Sequence, residues 1–371
     1  MNQASKIPLA SRRSAVQRCA YACVVALLAE LAAGSAVAGQ VLRARLLDAD
    51  TGSPIAGAFA ILERAGSGAA PRAGAALSDG SGWVQIRAPG PGSYHLRVER
   101  LGYATHTSDD FPLDSSVVVR QISIAAQAIV LPAITAAGRR RCGGMTELAA
   151  EAAVLWDEVR KALSVSSWTA AERSVSYVVR EYSRQLHPRT REVLEERSDQ
   201  QVLWTTGSPF VSLGAQDLAE RGFIRTGEDG GYQYYGPDSE VILSEWFQER
   251  HCFRAIAHDR DRSLIGLAFE PGPGAPRFDI RGVLWLDRGS AEFRYLEYAY
   301  SATPVPVDPG AAGGEVHFER LKSGRWIVRS WWIRAPALGR SVGGAPPRVT
   351  ALREAGRTVV SLNERSGGAD N

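Results

Sequence analysis

Phe278-Asp279-Ile280-Arg281-Gly282-Val283-Leu284-Trp285-Leu286-Asp287 runs through a short polar break into Glu292-Phe293-Arg294-Tyr295-Leu296-Glu297-Tyr298-Ala299-Tyr300. Both stretches read as strands, and the pair as an antiparallel hairpin. Similar stretches lie on either side. Val175–Tyr182, Glu192–Glu195 and Gln201–Trp204 precede it, as do Cys252–Ile256 and Ile265–Glu270; Gly314–Arg320 and Arg325–Ile333 follow. A region through Gly236 is less regular, and a short helix is expected near Val241–Phe247.

One long helix opens this half of the chain. Thr146 suits the N-cap and Glu147 the first turn. Leu148, Ala152, Leu155, Trp156, Val159 and Leu163 then recur at helical spacing, so one apolar face is expected, ending before Ser164-Val165-Ser166-Ser167. The final stretch, 341–371, reads as a flexible tail with a short strand at Thr358–Leu362.

The first half is punctuated differently. Val41–Leu47 is a strand, turned at Asp48-Ala49-Asp50-Thr51-Gly52-Ser53-Pro54; Ala58–Glu63 is a second, followed by a Gly/Ala/Pro-rich loop through Ala76. Leu77–Ile86 is a turn feeding a third strand, Gly92–Glu99 is a fourth, and Ile129–Ile134 reads as a last strand before a linker. Short strands at regular turn spacing indicate a β-sandwich. Asp48-x-Asp50-x-Gly52 has oxygen ligands at alternate positions, as a calcium loop does, but lacks the later ligands and reads as a turn.

The series Asp50-Thr51-Gly52-x-Pro54-Ile55-x-Gly57-Ala58, Asp79-x-x-Gly82-x-Val84, Tyr94-x-Leu96-x-Val98 and Leu101-Gly102-Tyr103 resembles the carboxypeptidase regulatory-like domain. That resemblance implies a transthyretin-like β-sandwich, non-catalytic in itself and serving folding or binding, with sugar binding known among related sandwiches. Further on, Gly282–Asp287 with Leu296-Glu297 is similar to a hairpin of the periplasmic lipoprotein-carrier half-barrels. This second resemblance implies an open half-barrel around helices, and a cavity for acyl chains. Trp204, Trp246, Trp285, Trp326 and Trp332 are candidates to line such a cavity, or else to fill a core.

The expected class is therefore mainly β with minor α. A regulatory-like sandwich at 39–137 leads through a linker at 138–145 to a helix plus antiparallel meander or half-barrel at 146–340. Residues 1–38 read as a signal peptide: a basic stretch through Arg18, an apolar run from Ala20 to Ala29, and Ala36-Val37-Ala38 before Gly39. The location expected is the periplasm, the outer membrane or the cell surface. No later segment is apolar for long enough to span a bilayer as a helix.

The net charge of +3 sits in that leader, where Lys6, Arg12, Arg13 and Arg18 face Glu30 alone. The remainder is balanced, which gives no electrostatic case for nucleic acid. Of 4 cysteines, Cys142 and Cys252 lie beyond the leader. In an oxidising compartment they are a disulfide candidate closing about 110 residues, a bridge of about 3–5 kcal/mol; buried thiols are the alternative.

Nothing in the chain forms a complete catalytic motif. The 6 histidines fall into no H-E-x-x-H or similar metal spacing, and no phosphate loop occurs. Gly339-Arg340-Ser341-Val342-Gly343 matches G-x-S-x-G, yet Pro346-Pro347 follow where a helix is required and no histidine comes later. His251 and Cys252 are strand neighbours, whose side chains diverge. The expectation is a non-catalytic envelope protein with no cofactor, binding an unknown ligand (lipid or glycan) or an envelope protein partner. A lipid or lipoprotein carrier, and a secreted hydrolase or carbohydrate-binding protein, are the alternatives.

Overall fold

The computed structural model describes residues 40–66, 72–114, 117–127, 150–227, 231–339 and 348–365, with the side chains of 199–205 left aside. The expected leader, the strand at Ile129–Ile134, the linker and Thr146 lie outside those residues, as does Ser341. The chain is mainly β with a few helices, as its alternation implied.

The first half is a two-sheet sandwich. Its strands are β1 (Val41–Asp48), β2 (Phe59–Arg64), β3 (Arg72–Leu77), β4 (Trp83–Arg87), β5 (Gly92–Glu99), β6 (His106–Thr107), β7 (Phe111–Leu113) and β8 (Val117–Ile124). One sheet has the order β4-β1-β8, with β8 parallel to β1; the other runs β3-β2-β5-β6, with β7 also on β5. Leu42, Leu46, Leu62, Val84, Ile86, Tyr94 and Leu96 meet between them. The turn after β1 is tied by Asp48, whose Oδ1 accepts the backbone N–H of Asp50 and Thr51 at 3.0 and 2.8 Å. Those donors, Thr51 foremost, hold the Asp48 carboxyl below its usual range.

The last part of the Gly/Ala-rich stretch, from Arg72 through Ala76, lies in strand β3 and not in a loop. Small side chains let it lie close over β4: a Cβ on Gly74 would meet Ile86 Cγ2 at 2.6 Å. Low β-propensity is overridden by pairing with β2 along its length.

β2 is apolar on both faces, and that decides how the halves meet. Ala60 and Leu62 belong to the sandwich core, while Phe59 and Ile61 belong to the main core of the second half. There Phe59 meets Trp168 with ring centroids 5.2 Å apart. Trp168 lies on α1 (Ala150–Ala171), which continues through the serines where the sequence suggested an end. Serine has only mildly poor helix propensity, and the burial of Val165, Trp168 and Thr169 outweighs it. The helix is covered on several sides because it is wedged between the sandwich and a large sheet. Gly57 and Gly324 touch at the same junction: a Cβ on Gly324, which has φ +87, would lie 2.7 Å from Gly57 Cα. Neither position accommodates a side chain.

The large sheet has nine strands, each antiparallel to its neighbours, in the order β10-β9-β19-β18-β17-β16-β15-β14-β13. In chain order these are β9 (Val175–Leu186), β10 (Val193–Thr206), β13 (His251–Ala257), β14 (Leu264–Pro271), β15 (Ile280–Asp287), β16 (Phe293–Tyr300), β17 (Gly313–Arg320), β18 (Trp326–Leu338) and β19 (Val349–Glu364). Between β10 and β13 come α2 (Ala215–Arg221), the small pair β11 (Ile224–Thr226) and β12 (Tyr232–Tyr234), then α3 (Ser239–Leu243) and α4 (Glu245–Arg250). Ser244 ends α3 and caps α4, so the one short helix expected here is two. Inward residues such as Leu267, Leu284, Leu296 and Val316 form the core with α1. Among the described residues no helix is long and apolar enough to cross a membrane.

The stretch expected to be a flexible tail is the largest departure. Residues 349–364 are the longest described strand, placed between β9 and β18 with Leu352 and Val359 buried. Its sequence carries charge on both faces, so no apolar alternation marked it.

Candidate functional site

Helix α1 packs on β13–β16 and β18. Towards β9, β10 and β19 the same face of the sheet carries polar side chains. Residues directly opposite in an antiparallel pair point the same way. The register places Trp331 opposite Arg357 and Arg357 opposite Glu181. It likewise aligns Ile333, Ala355, Ser183 and Arg197, and then Arg353, Gln185 and Glu195. These rows floor a groove of about 610 Å³. A second recess of about 290 Å³ shares Trp331 and Arg357 and is walled by Ser208–Ser212 and Tyr234–Gly236. Together they form one open trough.

Trp331 is fixed where the recesses meet. Its Nε1 donates to Pro209 O at 2.9 Å, its ring lies 5.0 Å from that of Phe210, and the Arg357 guanidinium sits 6.0 Å from its centroid. The wall carrying Pro209 and Phe210 is itself held, because Ser212 N donates to Asp238 Oδ2 at 2.8 Å.

Three arginines (Arg197, Arg353 and Arg357) face two glutamates (Glu181 and Glu195) along the groove, while Arg184 turns to the other face of the floor. Arg357 pairs with Glu181, and Arg197 with Glu195 at 2.8 Å. Arg184 pairs with Glu196 at 3.2 Å and reaches the buried Glu354, which also holds Arg334 at 2.6 Å. Burial, then the Glu354 charge, raises the Tyr182 hydroxyl well above its ordinary value. Arg353 is exposed and makes no ion pair among the described residues. Among its described side chains the trough therefore presents fixed donors, a smaller set of acceptors and an excess of positive charge. Among the described lining residues no serine hydroxyl donates to a carboxylate or a histidine, and the Tyr182 hydroxyl donates to Glu354 at 3.3 Å.

The tryptophans singled out from sequence lie elsewhere. Trp326 is 3% exposed within the main core. Trp285 is 4% exposed on the opposite sheet face beneath the His258 ring, 4.6 Å away. Trp246 packs between Phe223 and His251. Trp332 points away from the trough, its Nε1 donating to Glu315 Oε2 at 3.2 Å beneath the Arg334 guanidinium. Trp204 pairs through its backbone with Val178, and its side chain is outside the description. The trough's indole is Trp331, the chain neighbour of Trp332. Alternation separates the two faces, but a register shift between His317 and Phe318 hides which is which.

His251 and Cys252 are both buried. The His251 ring stacks on Phe247 with its Nδ1 3.0 Å from Phe247 O, and Nε2 lies 3.4 Å from Asp279 Oδ1. Both partners of that pair are 0% exposed, so it ties the first residue of β13 to the residue that precedes β15. Cys142 lies outside the described residues.

No family model matches this chain, and no curated protein does. Several solved structures are similar in part, among them the following three. A 5-hydroxyisourate hydrolase of Klebsiella pneumoniae is 20% identical over 24% of this chain and 87% of its own, with a TM-score of 0.19. A DUF1329 family protein of Desulfovibrio piger is 11% identical over 57% of this chain and 95% of its own, at 0.23. The shaft pilin SpaA of Lactobacillus rhamnosus GG is 12% identical over 74% and 89%, at 0.21. None reaches the level of a shared overall fold, and none bears on function.

Proposed function

We propose that this is an exported, non-catalytic envelope protein that binds a polar ligand in the trough between Trp331 and Arg353. The observation that carries the reading is the trough itself, an open channel with a rigid sheet floor, lined by ion-paired side chains and one pinned indole. Its size falls within the several hundred Å³ usual for ligand sites. Charged walls suit a polar ligand better than an acyl chain, since a lipid tail would desolvate them without compensation. The sandwich, in this reading, is a carboxypeptidase regulatory-like module of transthyretin type. It acts as a rigid support, its Phe59 and Ile61 being shared with the core beneath the sheet.

The test is a thermal-shift panel of neutral and acidic oligosaccharides, acidic and basic peptides, and phospholipid vesicles, with native mass spectrometry of the purified protein. A polar member of the panel should raise Tm, and Trp331→Ala should weaken that ligand at least ten-fold while leaving circular dichroism unchanged. A response unaltered by the substitution would move the site elsewhere. A co-purified acyl chain would replace this reading with a lipid or lipoprotein carrier.

We also propose that Cys252 pairs with Cys142. Peptide mapping without reductant should recover both cysteines in one cross-linked mass. Two separately alkylated peptides would exclude the bridge.

A further inference from the structure

The mixture of groups along the trough narrows the ligand further. Arg353 and Arg357 stand four residues apart on β19, roughly 13 Å at about 3.3 Å per strand residue. Arg197 projects between them from β10, opposite Ser183, which itself faces Ala355. Arginine offers a planar fork of donors that matches a carboxylate in two parallel bonds. Glu181 and Glu195 are each held by one arginine, Glu195 also accepting from Gln185 Nε2 at 2.9 Å, and a carboxylate has about four lone-pair sites, so both retain accepting capacity. Ser183 and Gln185 each add a donor and an acceptor.

We propose that the trough binds an acidic oligosaccharide, with uronate carboxylates on Arg353 and Arg357 and sugar hydroxyls on Glu181, Glu195, Ser183 and Gln185. This rests on the polar-ligand reading and adds the chemical class. The two glutamates discriminate. A ligand carrying charge at every position, such as polyphosphate or polyglutamate, would bring anions against them; a uronate chain presents neutral hydroxyls there and acids at intervals. A peptide also gains no main-chain pairing on β19, which carries Arg353 and Arg357 and is already bonded to β9 on one side and β18 on the other. Arg353 is the key donor, exposed and without a competing ion pair among the described residues.

The experiment is calorimetric titration of the whole protein with tetragalacturonate, its carboxyl-reduced neutral counterpart, tetraglutamate and inorganic sulfate. Tetraglucuronate and tetramannuronate are run alongside to cover uronate stereochemistry. At least one uronate should bind ten-fold or more tightly than the neutral oligomer, and should weaken with added salt. Arg353→Gln should cost ten-fold in that affinity with Tm unchanged, while Glu195→Ala should weaken the uronate and strengthen tetraglutamate. Equal affinity for the neutral oligomer overturns the acidic class but preserves a polar-ligand site. Tighter binding of tetraglutamate or sulfate replaces the sugar with a plain anion. Failure of all three uronates overturns the inference outright, and the broader panel then decides separately whether any polar ligand is bound.

Discussion

A chain ending at Arg340 is expected to be insoluble or rapidly degraded, despite losing only residues that read as a tail. Removing β19 takes out the strand that joins β9 to β18, together with the buried Leu352, Val359 and Glu354. The β9–β10 hairpin then has no place in the sheet, and Arg334 and Arg184 lose the carboxylate between them. Two long unpaired edges remain, which is the geometry that promotes strand addition between chains. Solubility and cooperative melting of the truncated protein check this. A sharp transition within a few degrees of the intact chain would mean that β19 is dispensable. Resupplying 348–365 as a synthetic peptide should restore part of the proteolytic resistance of β9.

Replacing Lys161 by alanine is the second large effect, at about 3–5 kcal/mol of lost stability. Its ammonium is 2% exposed and meets Glu158 at 2.7 Å, Asp157 at 2.8 Å and the Tyr103 carbonyl at 2.8 Å. Glu158, 5% exposed, reaches back to Gly102 N at 3.3 Å. The pair thus joins α1 to the sandwich, and truncating one member strands the other without water. Desolvation already raises the Glu158 carboxyl above its ordinary value, against the pull of Lys161. A carboxyl raised in the folded state favours folding when protonated, and that contribution fades as pH rises through the folded value. Without Lys161 the raised value climbs further, so the variant should be less impaired at pH 5 than at pH 8. Denaturant midpoints at the two pH values measure this; an equal loss at both would remove Glu158 as the cause. The double replacement Glu158→Leu/Lys161→Met should recover most of the stability, since no buried charge is left alone.

The parts of the fold that could be read from sequence are those where one side of an element is wet. Alternation in β1, β5, β16 and β17 gives their faces directly. It fails in β2, buried on both sides, and in β19, where Arg353, Ala355 and Arg357 face the trough while Glu354 is buried in an ion-paired cluster behind it. The extent of α1 was hidden because its buried surface faces two bodies, and Glu158 and Lys161 look in sequence like an ordinary exposed i,i+3 pair. The trough had no signature of its own: Glu181 and Arg357 meet across 176 residues of chain. Only strand order brings them together, and strand order is not a local property.

That strand order also sets a timetable. Synthesis delivers the chain N-terminus first, so the sandwich strands and α1 are available early, and the hairpin of β9 and β10 soon after. The partner that β9 needs on its other side is made last. Until residues 349–364 arrive, the hairpin waits with a bare edge while the meander from β13 to β18 completes itself nearby. Long-range closure of this kind is slow and leaves intermediates open to aggregation. The protein is therefore expected to lean on a holdase during its last folding step, and its yield to be limited by the rate at which that final strand inserts.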